Sequence, residues 1–161
     1  MFITTFYSYK GGVGRTMALA NVAAELASRG KSVLVADFDL EAPGLSNFGF
    51  HGCDPPAPSR QGLVDFIHAW LRDGATPDVR DYVCQYGAPT AGHGPIWLMP
   101  AGRVDESYGA RLGKIDFNEL YEHHNGFLLF EDLKSQWLSS LNIDYVLVDS
   151  GTGHTDVGGI W

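Results

Sequence analysis

The chain has 161 residues, of which 45% are hydrophobic, and it carries a formal net charge of −8. This length and composition suit a globular protein with one hydrophobic core. The acidic balance argues against a broad surface for binding polyanions, although it does not exclude a local basic patch.

The first informative segment is a glycine-rich loop over residues 8–16, SYKGGVGRT. Residues 2–7 before it are aromatic and β-branched, which predicts a buried strand. Residues 17–27 after it predict a helix that Gly30 closes. A strand, a glycine-rich turn and a helix build a phosphate pocket, because main-chain N–H groups and the helix N-terminus face the anion. Thr16 occupies the position where the phosphate-loop pattern places a Mg²⁺-binding hydroxyl.

The loop departs from the general pattern, because Arg15 replaces the usual lysine and Lys10 precedes two glycines. It resembles the deviant Walker A loop, K-G-G-x-G-K-[ST], of the MinD/ParA (SIMIBI class) P-loop ATPases, in a subgroup with arginine. The resemblance implies that Lys10 reaches the partner's nucleotide across a dimer interface and that Arg15 holds the β- and γ-phosphates. The residues implied to bind ATP are Lys10, Gly11, Gly12, Val13, Gly14, Arg15, Thr16 and Met17. The alternative is a glycine-rich turn with incidental basic residues.

A second apolar run, residues 32–37, predicts a strand of a parallel sheet buried on both faces. Asp37-Phe38-Asp39 follows and resembles the family's D-x-D segment. The resemblance implies that Asp39 acts in catalysis, with Lys10, by orienting the attacking water near the γ-phosphate and the metal. The alternative is that Asp37 and Asp39 only end a strand and start a turn.

A third apolar run ends at Asp149 and resembles a Walker B strand. The resemblance implies that Asp149, with Thr16 and Asp39, holds Mg²⁺, in part through water. The glycines at 151, 153, 158 and 159 predict a switch loop that responds to the γ-phosphate. His154, Thr155 and Asp156 in this loop are interpreted as solvated residues, and a catalytic role is the less favoured alternative.

Between these motifs the pattern alternates strands and helices. An apolar face over residues 63–71 predicts a core-packed helix that stops at Gly74, and residues 96–99 predict a third parallel strand. Asp116 and Glu119 resemble a capping box, and Asn125-Gly126 introduces a last helix that ends near Asn142. Residues 51–60 and 74–94 are rich in proline and glycine, which predicts loops or insertions.

These elements predict an α/β fold, a three-layer, doubly wound and mostly parallel sheet, formed by residues 1–161 as one P-loop nucleotide-binding domain. A typical family domain continues beyond the Walker B strand, so we expect the chain to be the truncated N-terminal portion of such a domain. No signal peptide or spanning segment is evident, and Cys53 and Cys84 show no C-x-x-C spacing. We therefore expect a cytoplasmic protein with reduced thiols.

Three functions fit these observations. The favoured hypothesis is an ATPase of the MinD/ParA type, which forms an ATP-dependent homodimer around ATP and Mg²⁺ and resets by hydrolysis. The second is a nucleotide-gated binding module with little turnover, because Arg15 replaces lysine. The third is a phosphotransferase similar to the bacterial tyrosine kinases of this fold. The segment offers no direct evidence for nucleic-acid or membrane binding, and it does not identify a downstream protein partner.

Overall fold

A computed structural model of the protein describes residues 1–45, 60–86 and 92–152. Five strands form the sheet of this part of the chain: β1 (Phe2–Ser8), β2 (Val33–Phe38), β3 (Cys84–Tyr86), β4 (Ile96–Met99) and β5 (Tyr145–Thr152). The helices described are α1 (Arg15–Ser28), α2 (Leu63–Asp73), α3 (Tyr108–Leu112), α4 (Phe117–His123) and α5 (Gly126–Ser139), with a 3₁₀ turn at Val79–Tyr82.

The sheet is mostly parallel, as the sequence predicts, with the strand order β1-β5-β2-β4-β3. The strands β1, β5, β2 and β4 run parallel, and β3 pairs antiparallel with β4. Every residue of β2 is buried, because this central strand is covered on both faces. The α/β architecture and the third parallel strand at residues 96–99 are therefore confirmed.

The register of the parallel strands brings the ends of β1, β2 and β5 together. Asp149 of β5 lies opposite Phe6 of β1 on one side and opposite Asp37 of β2 on the other. Because parallel strands end at the same edge of a sheet, the loops after β1 and β2 also meet there. This carboxyl edge is where doubly wound sheets bind ligands.

Helices cover both faces of the sheet and give three layers. Leu34 and Ala36 of β2 belong to a cluster with α2, α4 and α5, whereas Val33 and Val35 belong to a second cluster with α1. Successive side chains of a strand point to opposite faces, which explains this division. Each fully buried aliphatic side chain contributes about 1.5–3 kcal/mol to folding.

The start of α2 is attached directly to the carboxyl end of β4. The amides of Leu63 and Val64 donate hydrogen bonds to the carbonyl oxygens of Pro100 and Ala101, at 2.9 and 2.8 Å. A Cβ atom at Gly62 would lie 2.0 Å from the Pro100 oxygen, so a glycine is required for this approach. The predicted stop of the helix is also confirmed, because Gly74 ends it with φ +63°.

Some predicted boundaries need correction. Residues 74–94 were expected to be loop, but they contain the 3₁₀ turn and β3, and α3 was not expected. These elements have only three to five residues, too few for a hydrophobic period to emerge. The strand β5 continues through Thr152, whereas the rest of the predicted switch loop, with His154, Thr155 and Asp156, lies outside the described residues. Most of the predicted loop at 51–60 also lies outside them.

The cysteine expectation is corrected for Cys84, which is buried and disulfide-bonded. Cys53 lies outside the described residues. Spacing along the chain could not reveal this bond, because it depends on contacts that the fold makes. Within the described ranges, none of the helices combines the length and the apolar character needed to cross a bilayer.

Candidate nucleotide site

The loop between β1 and α1 forms an open cradle of main-chain groups. Gly12 and Gly14 adopt φ values of +73° and +82°, which disfavour any residue with a side chain. The helix α1 begins directly after Gly14, and no side chain in the described part of the chain caps its amino terminus. Its first N–H groups and its positive dipole end are thus directed at the same space, which suits an anion such as phosphate.

This space is a pocket of about 430 Å³ at the carboxyl edge of the sheet. It is lined by Ser8, Gly11, Gly12, Val13, Gly14, Arg15, Thr16, Met17, Asp39 and Ala42. The structure therefore brings Asp39 and seven of the predicted nucleotide-binding residues to one pocket. Lys10 is exposed and, among the described residues, is not part of this lining. This placement leaves its side chain available to a second molecule.

Arg15 is the centre of the polar network in the pocket. Its Nε donates a hydrogen bond to Oδ1 of Asp149, Nη2 donates to Oδ2 of Asp39 at 2.7 Å, and Nη1 donates to Oγ of Ser8 at 3.3 Å. Burial by itself would lower the pKa of Arg15, but the bonds to Asp39 and Asp149 outweigh that effect and raise it. Arg15 is therefore a permanent cation held between two carboxylates.

Asp149 uses both of its carboxylate oxygens. Oδ1 accepts from Arg15, and Oδ2 accepts from the Thr16 hydroxyl at 2.7 Å. The Asp149 side chain is only 2% exposed, whereas that of Asp39 is 15% exposed. Three predicted metal-binding residues, Thr16, Asp39 and Asp149, thus lie in one network around Arg15.

Asp37 lies behind this network and positions the loop that carries Asp39. Its carboxylate accepts hydrogen bonds from the amides of Asp39 and Leu45, each at 3.2 Å. Burial, followed by the charge of Asp149, raises the pKa of Asp37 to about 8. The interpretation of Asp37 as a strand-end residue that starts a turn fits these contacts.

Sequence reasoning missed three residues that support the site. The Ser8 hydroxyl donates to the carbonyl oxygen of Lys10 at 3.0 Å and accepts from Arg15. The Tyr108 hydroxyl donates to the Leu40 carbonyl at 2.9 Å, and the Ser150 hydroxyl donates to the Phe6 carbonyl at 2.9 Å. Ser8 could have been identified from its place beside the loop, but nothing in the sequence links Tyr108 to Leu40.

The donor set of the pocket fits Mg²⁺ accompanied by a phosphorylated ligand. Carboxylate and hydroxyl oxygens are the ligands that this hard cation prefers, and it usually takes one or two carboxylates together with waters and substrate phosphates. In residues 1–45, 60–86 and 92–152, no group of three or more His, Cys, Asp or Glu side chains is arranged to hold a metal. The protein groups here would therefore need phosphate or water oxygens to complete the coordination.

A glycine-rich loop and an uncapped helix N-terminus at the carboxyl edge of a parallel sheet define an α/β protein of the P-loop nucleotide-binding class. More particularly, the chain belongs to the family of CobQ/CobB/MinD/ParA nucleotide-binding domains, because the sequence model of that family matches residues 4–144. That match includes the loop, Asp39 and the strands up to the start of β5.

Known relatives agree with this assignment. A 47-residue segment, 29% of this chain and 18% of the relative, is 45% identical to an uncharacterized ATP-binding protein of Methanocaldococcus jannaschii. The fold is similar to pNOB8 ParA bound to nonspecific DNA, with a TM-score of 0.63 and 19% identity over 97% of this chain and 48% of that one. It is also similar to MinD from Pyrococcus horikoshii with Mg-ADP, with a TM-score of 0.63 and 22% identity over 96% of this chain and 50% of that one. The chain thus spans about half the length of these structures, and at such identities they establish the fold alone.

Proposed function

We propose that this chain is the nucleotide-binding part of a MinD/ParA-type ATPase with arginine in its phosphate loop. It binds ATP with Mg²⁺, pairs with a second copy around the nucleotide, and resets by hydrolysis. One observation carries the proposal: Arg15, Thr16, Asp39 and Asp149 converge at an uncapped helix N-terminus lined by glycines. We place the protein in the cytoplasm, where ATP and Mg²⁺ are available.

The residues of the site bind different parts of the Mg²⁺–triphosphate group. The amides of residues 11–17 face the phosphate oxygens, and Arg15 offers them a planar pair of N–H groups. Thr16, Asp149 and Asp39 are the residues that would hold Mg²⁺, which neutralises charge on the β- and γ-phosphates. These assignments use residues that line the pocket, together with Asp149, which is hydrogen-bonded to Arg15 and Thr16.

Asp39 is assigned to ATP hydrolysis, and Lys10 is assigned to the assembly of the dimer. Asp39 is the more exposed of the two carboxylates bonded to Arg15, so its outer oxygen is available to orient a water beside the terminal phosphate. Lys10 is exposed and directly precedes Gly11 of the pocket lining, and we assign its ammonium group to the nucleotide of a partner subunit. Both roles are positioning and electrostatic, as phosphoryl transfer requires.

Calorimetry with ATP and Mg²⁺, followed by a phosphate-release assay, tests this function in the full-length protein. We expect saturable binding and release of phosphate. Asp39→Ala should slow release at least tenfold and leave binding largely intact, because Arg15 and the main-chain amides of the loop remain to bind the phosphates. The matched control is Asp73→Ala, an exposed aspartate paired with Arg72 at the far end of α2, which should leave both measurements unchanged. Absence of binding by the wild type would refute the proposal.

A nucleotide-gated binding module is the second candidate, and the position of Arg15 favours it. The same guanidinium that replaces the usual lysine also bonds Asp39, which would restrain the residue assigned to orient water. Binding of ATP without turnover at any protein concentration would support this module over the ATPase. Radiolabel transferred from ATP to protein tyrosine would instead identify a phosphotransferase.

A further inference from the structure

The Arg15 bridge occupies one oxygen atom on each of the two carboxylates that a divalent cation would use. We infer that Arg15 is an internal counter-ion that excludes Mg²⁺ from Asp39 and Asp149 until a nucleotide phosphate draws the guanidinium away. Metal binding and nucleotide binding are then obligatorily coupled through one side chain. This inference rests on the proposed function, because it needs a phosphate ligand as the alternative partner of Arg15.

The first argument is geometric. Arg15 donates to Asp149 through Nε and to Asp39 through Nη2, and the second oxygen of Asp149 is bonded to the Thr16 hydroxyl. Both oxygens of Asp149 thus already accept a hydrogen bond, and a metal ion bound to them would lie next to the Arg15 guanidinium, whose positive charge repels it. The bridged arrangement and a metal-bound arrangement therefore oppose each other.

The second argument concerns solvation. The side chains of Arg15, Asp39 and Asp149 are 9%, 15% and 2% exposed. Water cannot replace a lost partner well at such burial, so removing Arg15 would leave two poorly solvated carboxylates. Any cation that displaces Arg15 must compensate both carboxylates, and the displaced guanidinium must also find an anion.

A nucleotide phosphate supplies the anion that the displaced guanidinium needs. Arg15 belongs to the cradle of residues 11–17, and a phosphate bound in this pocket presents paired oxygens to the guanidinium. When Arg15 turns to the phosphate, Asp39 and Asp149 become available to a divalent cation. Because coupling between two ligands is reciprocal, the metal must strengthen nucleotide binding by the factor by which nucleotide strengthens metal binding.

Titration of Mn²⁺, followed by electron paramagnetic resonance without nucleotide, tests the exclusion directly. Mn²⁺ prefers the same octahedral oxygen ligands as Mg²⁺. We expect Arg15→Met to bind Mn²⁺ at least tenfold more tightly than the wild type does. Arg15→Lys should lie between them, since one ammonium group cannot reproduce the fork that bridges both carboxylates. The control Arg29→Met removes an exposed arginine paired with Glu25 and should match the wild type.

Thermal unfolding supplies an independent readout. Mn²⁺ should raise the melting temperature of Arg15→Met and leave that of the nucleotide-free wild type unchanged, because only a ligand that binds the folded protein shifts its stability. If Arg15→Met does not fold, the comparison of Arg15→Lys with the wild type carries the test. Equal Mn²⁺ affinity in the wild type and the Arg15 variants would overturn the inference.

Calorimetry with MgATP separates the two proposals. If the wild type binds MgATP but also binds Mn²⁺ as tightly as the Arg15 variants do, the exclusion is wrong and the proposed function stands. If the Mn²⁺ difference is found but MgATP gives no binding heat, the exclusion stands and the proposed function is refuted.

Discussion

Asp37 and Asp149 are neighbours on adjacent parallel strands, and both are 1% exposed. Two buried carboxylates at this spacing disfavour each other's charge. Arg15 bonds Asp149, whereas Asp37 accepts hydrogen bonds from the main-chain N–H groups of Asp39 and Leu45. The proximity of the two carboxylates therefore disfavours the charged form of Asp37 rather than that of Asp149.

Stability should depend on pH through Asp37. Burial and then the charge of Asp149 raise the pKa of Asp37 from 3.8 to about 8. Between these values the unfolded chain has released this proton and the folded chain keeps it, so the free energy of unfolding falls as pH rises. We expect Asp37→Asn to remove that fall, a difference on the order of 5 kcal/mol across the window.

Urea unfolding at several pH values between 4 and 8, with EDTA to remove divalent ions, measures this difference. Asp81→Asn, which changes an exposed aspartate, is the control and should follow the wild-type curve. If the free energy of unfolding varies with pH in the same way for the wild type and Asp37→Asn, the prediction is wrong.

Arg15 illustrates why a single exchange of one basic residue for another matters. Its three side-chain nitrogens bond three different partners, Asp149, Ser8 and Asp39. A lysine has one nitrogen on a flexible stem and could not hold three partners in this fixed geometry. The arginine in the loop thus does more than preserve a charge.

At the scale of secondary-structure elements, the junction of β4 and α2 is sensitive to a small change. A Cβ at Gly62 would lie 2.0 Å from the Pro100 oxygen and 2.8 Å from the Gly102 nitrogen, and both atoms are main chain. No rotamer change relieves such a contact, so the helix must move from the sheet. We expect Gly62→Ala to lower the free energy of unfolding by about 3 kcal/mol, at the top of the usual range for single substitutions.

The control at the other end of the same helix is Gly74→Ala. Gly74 has φ +63°, but nothing in the described residues lies within 4 Å of the position of an added Cβ. Only the cost of the left-handed backbone applies there, about 1 kcal/mol. Equal losses for the two variants, measured by denaturant unfolding, would show that close packing at Gly62 is not the cause.

Sequence predicted those elements that local patterns encode. The loop with α1, the buried strand before Asp39, and the helix that ends at Gly74 each carry their signal within a short window. The strand β3 has three residues in a stretch rich in glycine and proline, and α3 has five, so neither shows a period. Local reasoning cannot detect such short elements, which form because neighbouring structure holds them.

The candidate site was predictable as a set of residues but not as a network. The motif positions identify Arg15, Asp39 and Asp149, yet the bond between Arg15 and Asp149 spans 134 positions of sequence. That bond depends on the strand order, which places β5 between β1 and β2. The implied roles for these residues also concern phosphate and metal, so a bridge between the residues themselves was not anticipated.

At the scale of the whole molecule, the net charge of −8 opposes association of two identical chains. An ATP-dependent homodimer therefore needs local cations at its interface, and the exposed Lys10 is the one that we assign to this role. Each subunit would donate Lys10 to phosphates bound by the other. Nucleotide would then convert a repulsive encounter into an attractive one.

This reasoning predicts how turnover varies with protein concentration. If catalysis needs two subunits, phosphate release per molecule should rise as the wild-type protein becomes more concentrated, and light scattering should detect a dimer with ATP and Mg²⁺. Lys10→Ala should remain monomeric and show release per molecule that is low and independent of concentration. Lys114→Ala changes an exposed lysine remote from the loop in sequence and should behave as the wild type. Normal pairing by Lys10→Ala would exclude a role for this lysine across the interface, and constant wild-type release per molecule would indicate a monomeric enzyme.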